Sequence, residues 1–480
     1  MKKGDLLELD ITGYAFEGKG IAKIIREANP ADEAASKKFV IFVDSSYPGD
    51  KVIAQIRKVR SAYAEAVIKE LLAKSPLRIK AQCKYFGVCG GCKAQDLDYA
   101  QQVHFKEEQV KDIFERIGGF KNFEIEPIVP AAKTFFYRNK MEYSFADKRW
   151  LSESEISSMQ EVADKNFALG LHIPGMFDKV LDIDGCHLQS ETSNGILNFT
   201  RDFFKNEQIS PYSAQKHTGF LRNLVIKQSF LKNEIMVNLV VSEENERLFT
   251  QYKSELLSRF PEITTIIFNI NKKLSQVAYG DYEIVSYGAG FIYDLIGDWK
   301  FRISANSFFQ TNTSQAERLY STALEYADFK GNETVYDLYS GAGTIPIFIS
   351  KNVKQIFGFE SVEPAIEDAK ANIELNKVLN FEPILADLNR SFLPVIRERK
   401  IPQPDVIIAD PPRSGMNPKT IRDIVDLHPT KVVYISCNPA TQARDIKLLN
   451  EGGYELIKIR PVDMFPHTYH IENVALLIKR

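Results

Sequence analysis

The last third of the chain alternates short apolar runs with helical patterns, and this alternation restricts the fold more than any other feature. Strands that alternate with helices in this way are typical of a parallel sheet with helices on both faces. The sequence therefore predicts an α/β fold. The predicted strands are Thr334 to Leu338, Gln355 to Phe359, Pro383 to Leu385, Asp405 to Ala409, Lys431 to Ile435, Tyr454 to Ile459 and Asn473 to Ile478.

A glycine turn follows the first of these strands, from Tyr339 to Thr344. Its two glycines allow a tight turn and a close approach of the backbone to a ligand at the start of a helix. The second strand runs into Glu360, where folds of this kind bind the ribose hydroxyls of a nucleotide cofactor. A dehydrogenase fingerprint would have a third glycine where this chain has Pro346. The pattern thus predicts a nucleotide-cofactor site and departs from the dehydrogenase form.

A thiol and a carboxylate stand close to the end of the chain. Cys437 follows the Lys431 to Ile435 strand, and Glu472 lies in the segment that begins the last predicted strand. Open α/β sheets place active sites at the carboxyl ends of their strands. Taken alone, such a cysteine is most often a small buried apolar residue. A thiol nucleophile and a base are nevertheless what carbon methylation of a pyrimidine requires.

Asp410-Pro411-Pro412-Arg413 closes the fourth predicted strand. Methyltransferases that act on amines carry Asn or Asp, two prolines and an aromatic residue at this point, and Arg413 replaces the aromatic residue here. A methyltransferase acting on an amine of rRNA or protein therefore stays open as an alternative, as does a non-catalytic RNA-binding protein. The presence of both Cys437 and Glu472 argues against each of them.

The other cysteines form a second candidate site. Cys83, Cys89 and Cys92 follow a C-x5-C-x2-C pattern, and Cys186 lies far downstream. Because no export signal is visible, disulfides are disfavoured. Tight thiolate spacing with one remote ligand fits either a zinc ion or a [4Fe-4S] cluster, and the spacing does not decide between them.

Length and charge bound the size of the protein and indicate one region that could bind anions. A chain of 480 residues predicts about three domains. The formal net charge of −2 does not mark a nucleic-acid binder, but nine Lys or Arg lie between Lys51 and Lys84 against Glu65 and Glu70, a net charge of +7. That run could contact phosphates. No secretory signal or membrane-length apolar run is visible, so we expect a cytoplasmic protein with no membrane contact and no obligate protein partner.

The sequence resembles the RNA uracil-5-methyltransferases over its whole length. At the amino terminus, Gly18 to Ala22, Pro48 to Asp50 and Tyr63 to Ala66 resemble the TRAM domain, an RNA-binding β-barrel of the ribosomal branch of that family. The motifs of the last third that carry the resemblance are Asp337 to Thr344, Glu360, Asp410 to Gly415, Ser436 to Asp445, and Asp463 to Thr468 running into Glu472.

The resemblance implies a fold and a domain organisation. It predicts a Rossmann-like S-adenosylmethionine-dependent methyltransferase domain, an amino-terminal TRAM or OB-like β-barrel, and a central α+β domain that carries an iron-sulfur site. It also implies that the helix predicted at Tyr99 to Ile117 packs against the catalytic domain. The implied domains are residues 1–70 for the barrel, 71–93 with 128–306 for the central domain, and 94–127 with 307–480 for the catalytic domain.

The resemblance also implies the reaction and its residues. The expected activity is S-adenosylmethionine-dependent methylation of C5 of a uridine in 23S ribosomal RNA, with Cys437 as the nucleophile that adds to C6 and Glu472 as the base. The T-loop uridine of tRNA is the alternative substrate, and an amine-directed rRNA methyltransferase is the alternative activity. Ser340 and Thr344 depart from the Cys and Asn that family members often have, which puts the contact at Thr344 in doubt. The implied cofactor contacts are Gln310, Tyr339, Glu360, Asp387 and Asp410, and the implied ligands of a [4Fe-4S] cluster are Cys83, Cys89, Cys92 and Cys186.

Overall fold

The amino-terminal region forms a sheet of short strands in the computed structural model, which describes residues 1–25, 38–157, 164–176, 178–275 and 277–480. The strand order is β1-β5-β6-β4-β3-β2. Alternate residues of β5 (Val52, Ala54 and Ile56) are buried in one apolar core, as expected for a sheet with one face covered. The strands are β1 (Leu6–Asp10), β2 (Gly13–Ala15), β3 (Lys19–Ile25), β4 (Lys38–Asp44), β5 (Lys51–Val59) and β6 (Tyr63–Ala73).

A long helix, α1 (Tyr99–Ile113), follows the cysteine-rich segment. Asp98 caps its amino-terminal end, because the Asp98 carboxylate accepts a hydrogen bond from the N–H of Ala100. The helix continues into a π-helical turn over Phe114–Gly118. Its apolar residues pack into the core of the carboxyl-terminal sheet, which a short strand, β7 (Glu124–Ile125), joins at one edge. The contact between this helix and the catalytic region, which the resemblance implied, is thus observed.

A mixed sheet occupies the middle of the chain, in the order β10-β9-β8-β11-β12-β13-β14. Its inner strands are buried along nearly their whole length, as expected where both faces are covered. Two helices, α3 and α4, pack against it. The elements are β8 (Lys140–Ala146), α2 (Glu153–Ser157), β9 (Ala168–His172), β10 (Val180–Asp182), α3 (Glu191–Asn206), β11 (Leu221–Ser229), β12 (Glu234–Val241), α4 (Glu246–Arg259), β13 (Ile263–Ile270) and β14 (Tyr282–Tyr287).

A hairpin, β15 (Phe291–Ile296) and β16 (Trp299–Ser304), leads into the carboxyl-terminal sheet, whose order is β19-β18-β17-β20-β21-β23-β22-β7. The predicted strands are confirmed, and no strand end shifts by more than three residues. The elements are α5 (Thr313–Ala327), β17 (Thr334–Leu338), α6 (Thr344–Ile349), β18 (Gln355–Glu360), α7 (Glu363–Asn376), β19 (Phe381–Leu385), α8 (Leu393–Arg399), β20 (Val406–Ala409), α9 (Pro418–Leu427), β21 (Lys431–Ser436), α10 (Pro439–Glu451), β22 (Tyr454–Val462) and β23 (Glu472–Lys479).

The prediction of an entirely parallel sheet is wrong at one end. The five strands β17, β18, β19, β20 and β21 run parallel to one another. The last strand, β23, pairs antiparallel with both β21 and β22. The connection between β22 and β23, residues 463–471, contains no helix, so the chain cannot make the crossover that a parallel neighbour needs. This reversal brings the start of β23 beside the carboxyl end of β21.

In the described parts of the chain, none of the helices combines the length and the apolar character that crossing a membrane requires.

Candidate active site at the carboxyl edge of the sheet

The glycine turn lies between β17 and α6 and is held by Glu360. Gly341 and Gly343 have φ angles of 53° and 78°, in the left-handed region that glycine adopts readily. The Gly341 N–H donates to one carboxylate oxygen of Glu360 at 3.0 Å, and the N–H groups of Ser361 and Val362 donate to the other at 2.7 and 2.9 Å. Glu360 is therefore fixed beside the turn, where the sequence placed a ribose-binding acid.

Asp337, the residue before the last of β17, is a candidate site residue to which the sequence analysis gave no role. It is buried, and within the described structure neither of its carboxyl oxygens has a hydrogen-bond partner; the same is true of the Ser340 hydroxyl. Burial, with the nearby carboxylates of Asp410 and Glu360, raises the pKa of Asp337 well above its usual range. An unpartnered buried acid is costly unless a ligand satisfies it, so Asp337 fits a cationic or hydrogen-bonding cofactor. The sequence feature that could have identified Asp337 is an acidic residue inside an apolar strand, just before the glycine turn.

Cys437 and Glu472 occupy neighbouring positions at the end of the β21/β23 ladder. The last pair in the register is Ser436 with Asn473. Cys437 follows Ser436 and Glu472 precedes Asn473, so the two residues lie at the next position along the ladder. Opposed residues of antiparallel strands have Cα atoms only about 4.5–5.5 Å apart. Glu472 is 5% exposed, whereas Cys437 is half-buried in front of α10.

Electrostatics couple this thiol and carboxyl to Asp410, which follows β20. Burial raises the pKa of Cys437 to about 12, with added repulsion from Glu472 and Asp410. Burial and Asp410 raise the pKa of Glu472 well above its usual range, and burial raises the pKa of Asp410 to about 7. The three groups thus form one desolvated cluster, in which the charge on one group raises the pKa of another.

Tyr320 and Thr344 extend the cluster toward α5 and α6. The Tyr320 hydroxyl and Thr344 Oγ1 are hydrogen-bonded at 3.0 Å. Burial, with the carboxylates of Asp410, Asp337 and Glu472, raises the pKa of Tyr320, so its hydroxyl stays protonated. Sequence reasoning did not assign Tyr320, because nothing near it in the chain marks it as part of the site.

The remaining predicted cofactor contacts differ in their surroundings. The carbonyl of Gln310 accepts a hydrogen bond from Nδ2 of Asn139 at 2.8 Å, and two residues later Asn312 Nδ2 donates to the carbonyl of Met464 at 2.9 Å. Tyr339 begins the glycine turn with a φ of 69°. Asp387 lies just beyond β19, is exposed, and accepts a hydrogen bond from the N–H of Asn389 at 2.9 Å. No described contact joins Asp387 to the carboxyl cluster.

The structure brings the four remaining cysteines together at one cavity of about 990 Å³, although Cys186 is remote in sequence. Burial raises the pKa of Cys92 to about 12 and that of Cys186 to about 11. The Cys92 sulfur accepts a hydrogen bond from Nε2 of Gln95 at 3.2 Å, and the Cys89 sulfur accepts one from the N–H of Gly91 at 3.3 Å. All four cysteines are free of disulfides. Across the described ranges, no group of three or more His, Cys, Asp or Glu side chains is arranged to hold a single metal ion.

Comparisons with known proteins agree with this architecture. Residues 295–480 match the tRNA (uracil-5-)-methyltransferase family, and residues 2–69 match the TRAM domain. An uncharacterized RNA methyltransferase of Chlorobaculum tepidum is 42% identical over 475 residues, which cover 99% of this chain and 96% of the relative. One of Bacteroides thetaiotaomicron is 42% identical over 468 residues, covering 96% of this chain and 99% of the relative.

A solved structure matches over almost the full length. The tRNA (uracil-54, C5)-methyltransferase of Pyrococcus abyssi, in complex with S-adenosyl-L-homocysteine, has a TM-score of 0.73 and 30% identity, and the match covers 98% of this chain and 100% of that one. The fold and the glycine turn therefore define an S-adenosylmethionine-dependent RNA methyltransferase. Within that class, the chain belongs to the RNA uracil-5-methyltransferase family and carries a TRAM domain at its amino terminus. The predicted fold class, TRAM domain and enzyme class are confirmed.

Proposed function

We propose that this enzyme methylates C5 of a uridine in 23S ribosomal RNA through a covalent adduct between Cys437 and C6 of the uracil. One observation carries the proposal: the antiparallel β21/β23 register sets Cys437 and Glu472 at neighbouring positions. Methyl transfer to an amine needs neither group. Methylation at C5 needs both, because C5 of uracil becomes nucleophilic only after a thiolate has added to C6.

The thiol acts first. Cys437 loses its proton to solvent, which its partial exposure allows, and its sulfur forms a bond to C6. The electrons of the C5–C6 double bond move toward the carbonyl oxygen at C4, which forms an enolate. C5 of the enolate would then form a bond to the methyl group that S-adenosylmethionine supplies when bound. The bond from that methyl group to the sulfonium sulfur would break, its electron pair would stay on sulfur, and S-adenosylhomocysteine would be left.

The carboxylate acts second. Glu472 removes the proton from C5, the electron pair of that C–H bond forms the C5–C6 double bond again, and the bond from C6 to the Cys437 sulfur breaks. This sequence regenerates the thiolate and releases 5-methyluridine. Glu472 acts in its ionised form, having first lost its own proton to solvent. Its burial supports the assignment, because a carboxylate whose pKa is raised is a stronger base than an exposed one.

The cofactor would bind at the glycine turn beside Glu360. Glu360, fixed by three N–H donors, would accept the ribose hydroxyls, and Gly341 leaves room for the backbone to approach. Asp337 would receive the cationic part of the methionine moiety, which offsets the cost of its burial. Gln310 and Tyr339 would complete the contacts to the methyl donor, Asp410 would hydrogen-bond near the reacting methyl group or base, and Asp387 would lie near the adenine.

The cysteine cavity would hold a [4Fe-4S] cluster. Four thiols and two hydrogen bonds from nitrogen to sulfur are a fitting ligand set for such a cluster. A zinc ion is the alternative occupant, and bonds of about 2.3 Å would draw the sulfurs within roughly 4 Å of one another. The cluster would join two distant segments of the chain, and we assign it no step in the reaction.

We further propose the domain division 1–70, 71–93 with 128–306, and 94–127 with 307–480. Exposed cations of the TRAM sheet and of the segment after it would contact RNA phosphates: Arg57, Lys58, Arg60, Lys69, Lys74 and Lys80. The target uridine would leave its stack to reach Cys437.

The second candidate substrate is tRNA. The full-length match to a tRNA (uracil-54, C5)-methyltransferase favours it, whereas the cysteine pattern resembles the ribosomal branch. Mapping 5-methyluridine in ribosomal and transfer RNA from cells with and without this gene tests the two. We expect its loss from 23S rRNA only, and restoration by the wild-type gene but not by one encoding Cys437→Ala. Loss from tRNA only would establish the second candidate.

A further inference from the structure

The connection that leads to Glu472, residues 463–471, is largely buried although it contains no helix or strand. Connections of this kind usually lie at the surface, because buried backbone groups need partners. Here two of the partners, Lys106 and Gln102, lie more than 300 residues earlier in the chain. We call residues 463–471 the base loop.

One face of α1 supplies most of these partners. Tyr99, Gln102 and Lys106 are three and four residues apart, so they lie on the same side of the helix. Lys106 Nζ donates to the Asp463 carboxylate at 2.7 Å and to the carbonyl of Phe465 at 3.2 Å. The Tyr99 hydroxyl donates to the other oxygen of Asp463 at 2.9 Å.

The middle of the base loop is held at His467. Its φ of 65° is in the left-handed region, which costs a residue other than glycine about 1–3 kcal/mol and therefore needs support. The His467 N–H donates to Oε1 of Gln102 at 2.9 Å, and its carbonyl accepts hydrogen bonds from the N–H groups of Lys93 and Ala94 at 2.7 and 3.0 Å. The base loop is thus fixed at its first residue and at its middle, five residues before Glu472.

The Lys106–Asp463 ion pair is the most buried part of this arrangement. The side chains are 5% and 0% exposed, so loss of either partner leaves an uncompensated buried charge. A connection fixed in this way sets where β23 begins, and β23 begins at Glu472.

Building on the function proposed above, we propose that Lys106 is a positioning residue for the base. Through Asp463 it fixes the base loop and thereby sets the Glu472 carboxylate against C5 of the adduct. Lys106 touches neither RNA nor cofactor in this account. Its loss should therefore impair proton removal from C5, while thiol addition and methyl transfer, which use Cys437 at the end of β21, continue.

The test is a single-turnover reaction of Lys106→Met with RNA substrate and S-adenosylmethionine carrying a labelled methyl group, resolved on a denaturing gel. We expect turnover to fall about a hundredfold, as for a misplaced catalytic group, with label accumulating in a covalent protein–RNA band. Lys106→Arg, which keeps the charge, should restore turnover. Lys111→Met, at an exposed position on the same helix, is the matched control and should behave as wild type.

A purely structural role for Lys106 predicts a different result, in which the adduct and turnover fall together. That result, or wild-type turnover, would overturn the proposal. If Lys106→Met does not fold, Tyr99→Phe is the second variant. It removes the hydrogen bond to Asp463, together with the one that the Tyr99 hydroxyl accepts from the Ala131 N–H, and leaves the Lys106–Asp463 ion pair in place. It should give the same labelled band at a smaller yield, and absence of that band would then count against the proposal. Glu472→Gln separates failure of the positioning role from failure of the proposed function. A labelled band with Glu472→Gln but none with the Lys106 and Tyr99 variants refutes only the positioning role. No band with Glu472→Gln refutes the proposed function.

Discussion

The enzyme buries cysteine thiols in two places, and their neighbours differ. Cys437 lies among carboxyl groups, with Glu472 and Asp410 close enough to raise its pKa. Cys92 and Cys186 lie instead among other thiols at an apolar cavity, and the charges that act on Cys92 come from Cys186, Cys89 and Cys83. Burial raises the pKa of each of these thiols, so burial alone does not distinguish the two sites.

What distinguishes the sites is the chemistry that their neighbours permit. A half-buried thiol with a carboxyl base beside it can form a bond to carbon and later release it, which suits a nucleophile. Thiols gathered at one cavity can instead ligate a shared cationic centre, which is the role proposed for them above. The proposal therefore assigns two purposes to one residue type, and removing cysteines in each region tests the difference.

The largest effect should come from Cys437→Ala. Removal of the covalent nucleophile should reduce methylation at least about a thousandfold, measured as transfer of labelled methyl groups to RNA. The variant should keep its iron and its affinity for S-adenosylhomocysteine. Turnover within about tenfold of wild type would refute the thiol mechanism.

Removal of one cavity cysteine should change metal content and stability, which Cys437→Ala should leave unchanged. Protein purified without oxygen should contain about four irons per chain, and Cys186→Ala should lose most of them and unfold at a lower temperature. Iron analysis and thermal unfolding measure both effects. Stoichiometric zinc without iron in the wild-type protein would show that the cavity holds a different metal.

Asp337→Asn should weaken cofactor binding by about tenfold, since a hydrogen bond to a charged group contributes roughly 1.5–3 kcal/mol. Asp387→Asn should have a smaller effect, because Asp387 is exposed and Asp337 is buried without a partner among the described residues. Titration calorimetry with S-adenosylhomocysteine measures both dissociation constants. Equal effects of the two substitutions would remove the special role of Asp337.

The smallest effect concerns pH and stability. The pKa of Asp410 is raised from 3.8 to about 7 in the folded protein, so the folded state binds its proton more tightly than the unfolded state does. The free energy of unfolding should therefore fall as pH rises from about 4 to 7 and stay at the lower value above that range, where Asp410 is ionised in the folded state. Asp410→Asn should raise the melting temperature of the cofactor-free protein by a few degrees at pH 8 and by less at pH 5. A gain that is equal at both pH values would contradict the assigned pKa.

Much of the fold could be predicted because its signals are local. Apolar runs such as Lys431 to Ile435 and the glycines of the 339–344 turn mark strands and a turn wherever they occur. The reversed strand β23 could not be predicted in this way, because strand direction depends on whether the preceding connection forms a crossover.

The residues of the candidate site likewise fall into those with a local sequence signal and those placed only by tertiary packing. Cys437 and Asp410 could be identified because each lies in a recognisable motif at the end of an apolar strand. Tyr320 joins the site only through packing, and the burial of the base loop depends on α1, far away in the chain. Cys186 lies far from the other three cavity cysteines in the chain, so spacing suggested it only as a remote ligand, and the resemblance chose the cluster over zinc.

The central claim is that a thiol adds before a carboxylate removes the C5 proton, and Glu472→Gln tests this order most directly. The variant should bind RNA and S-adenosylmethionine, add Cys437 to C6, transfer the methyl group and then stop. On a denaturing gel, the labelled methyl group should migrate with a protein–RNA band that is absent from the Cys437→Ala/Glu472→Gln double variant. Turnover by Glu472→Gln at the wild-type rate, with no such band, would contradict the account.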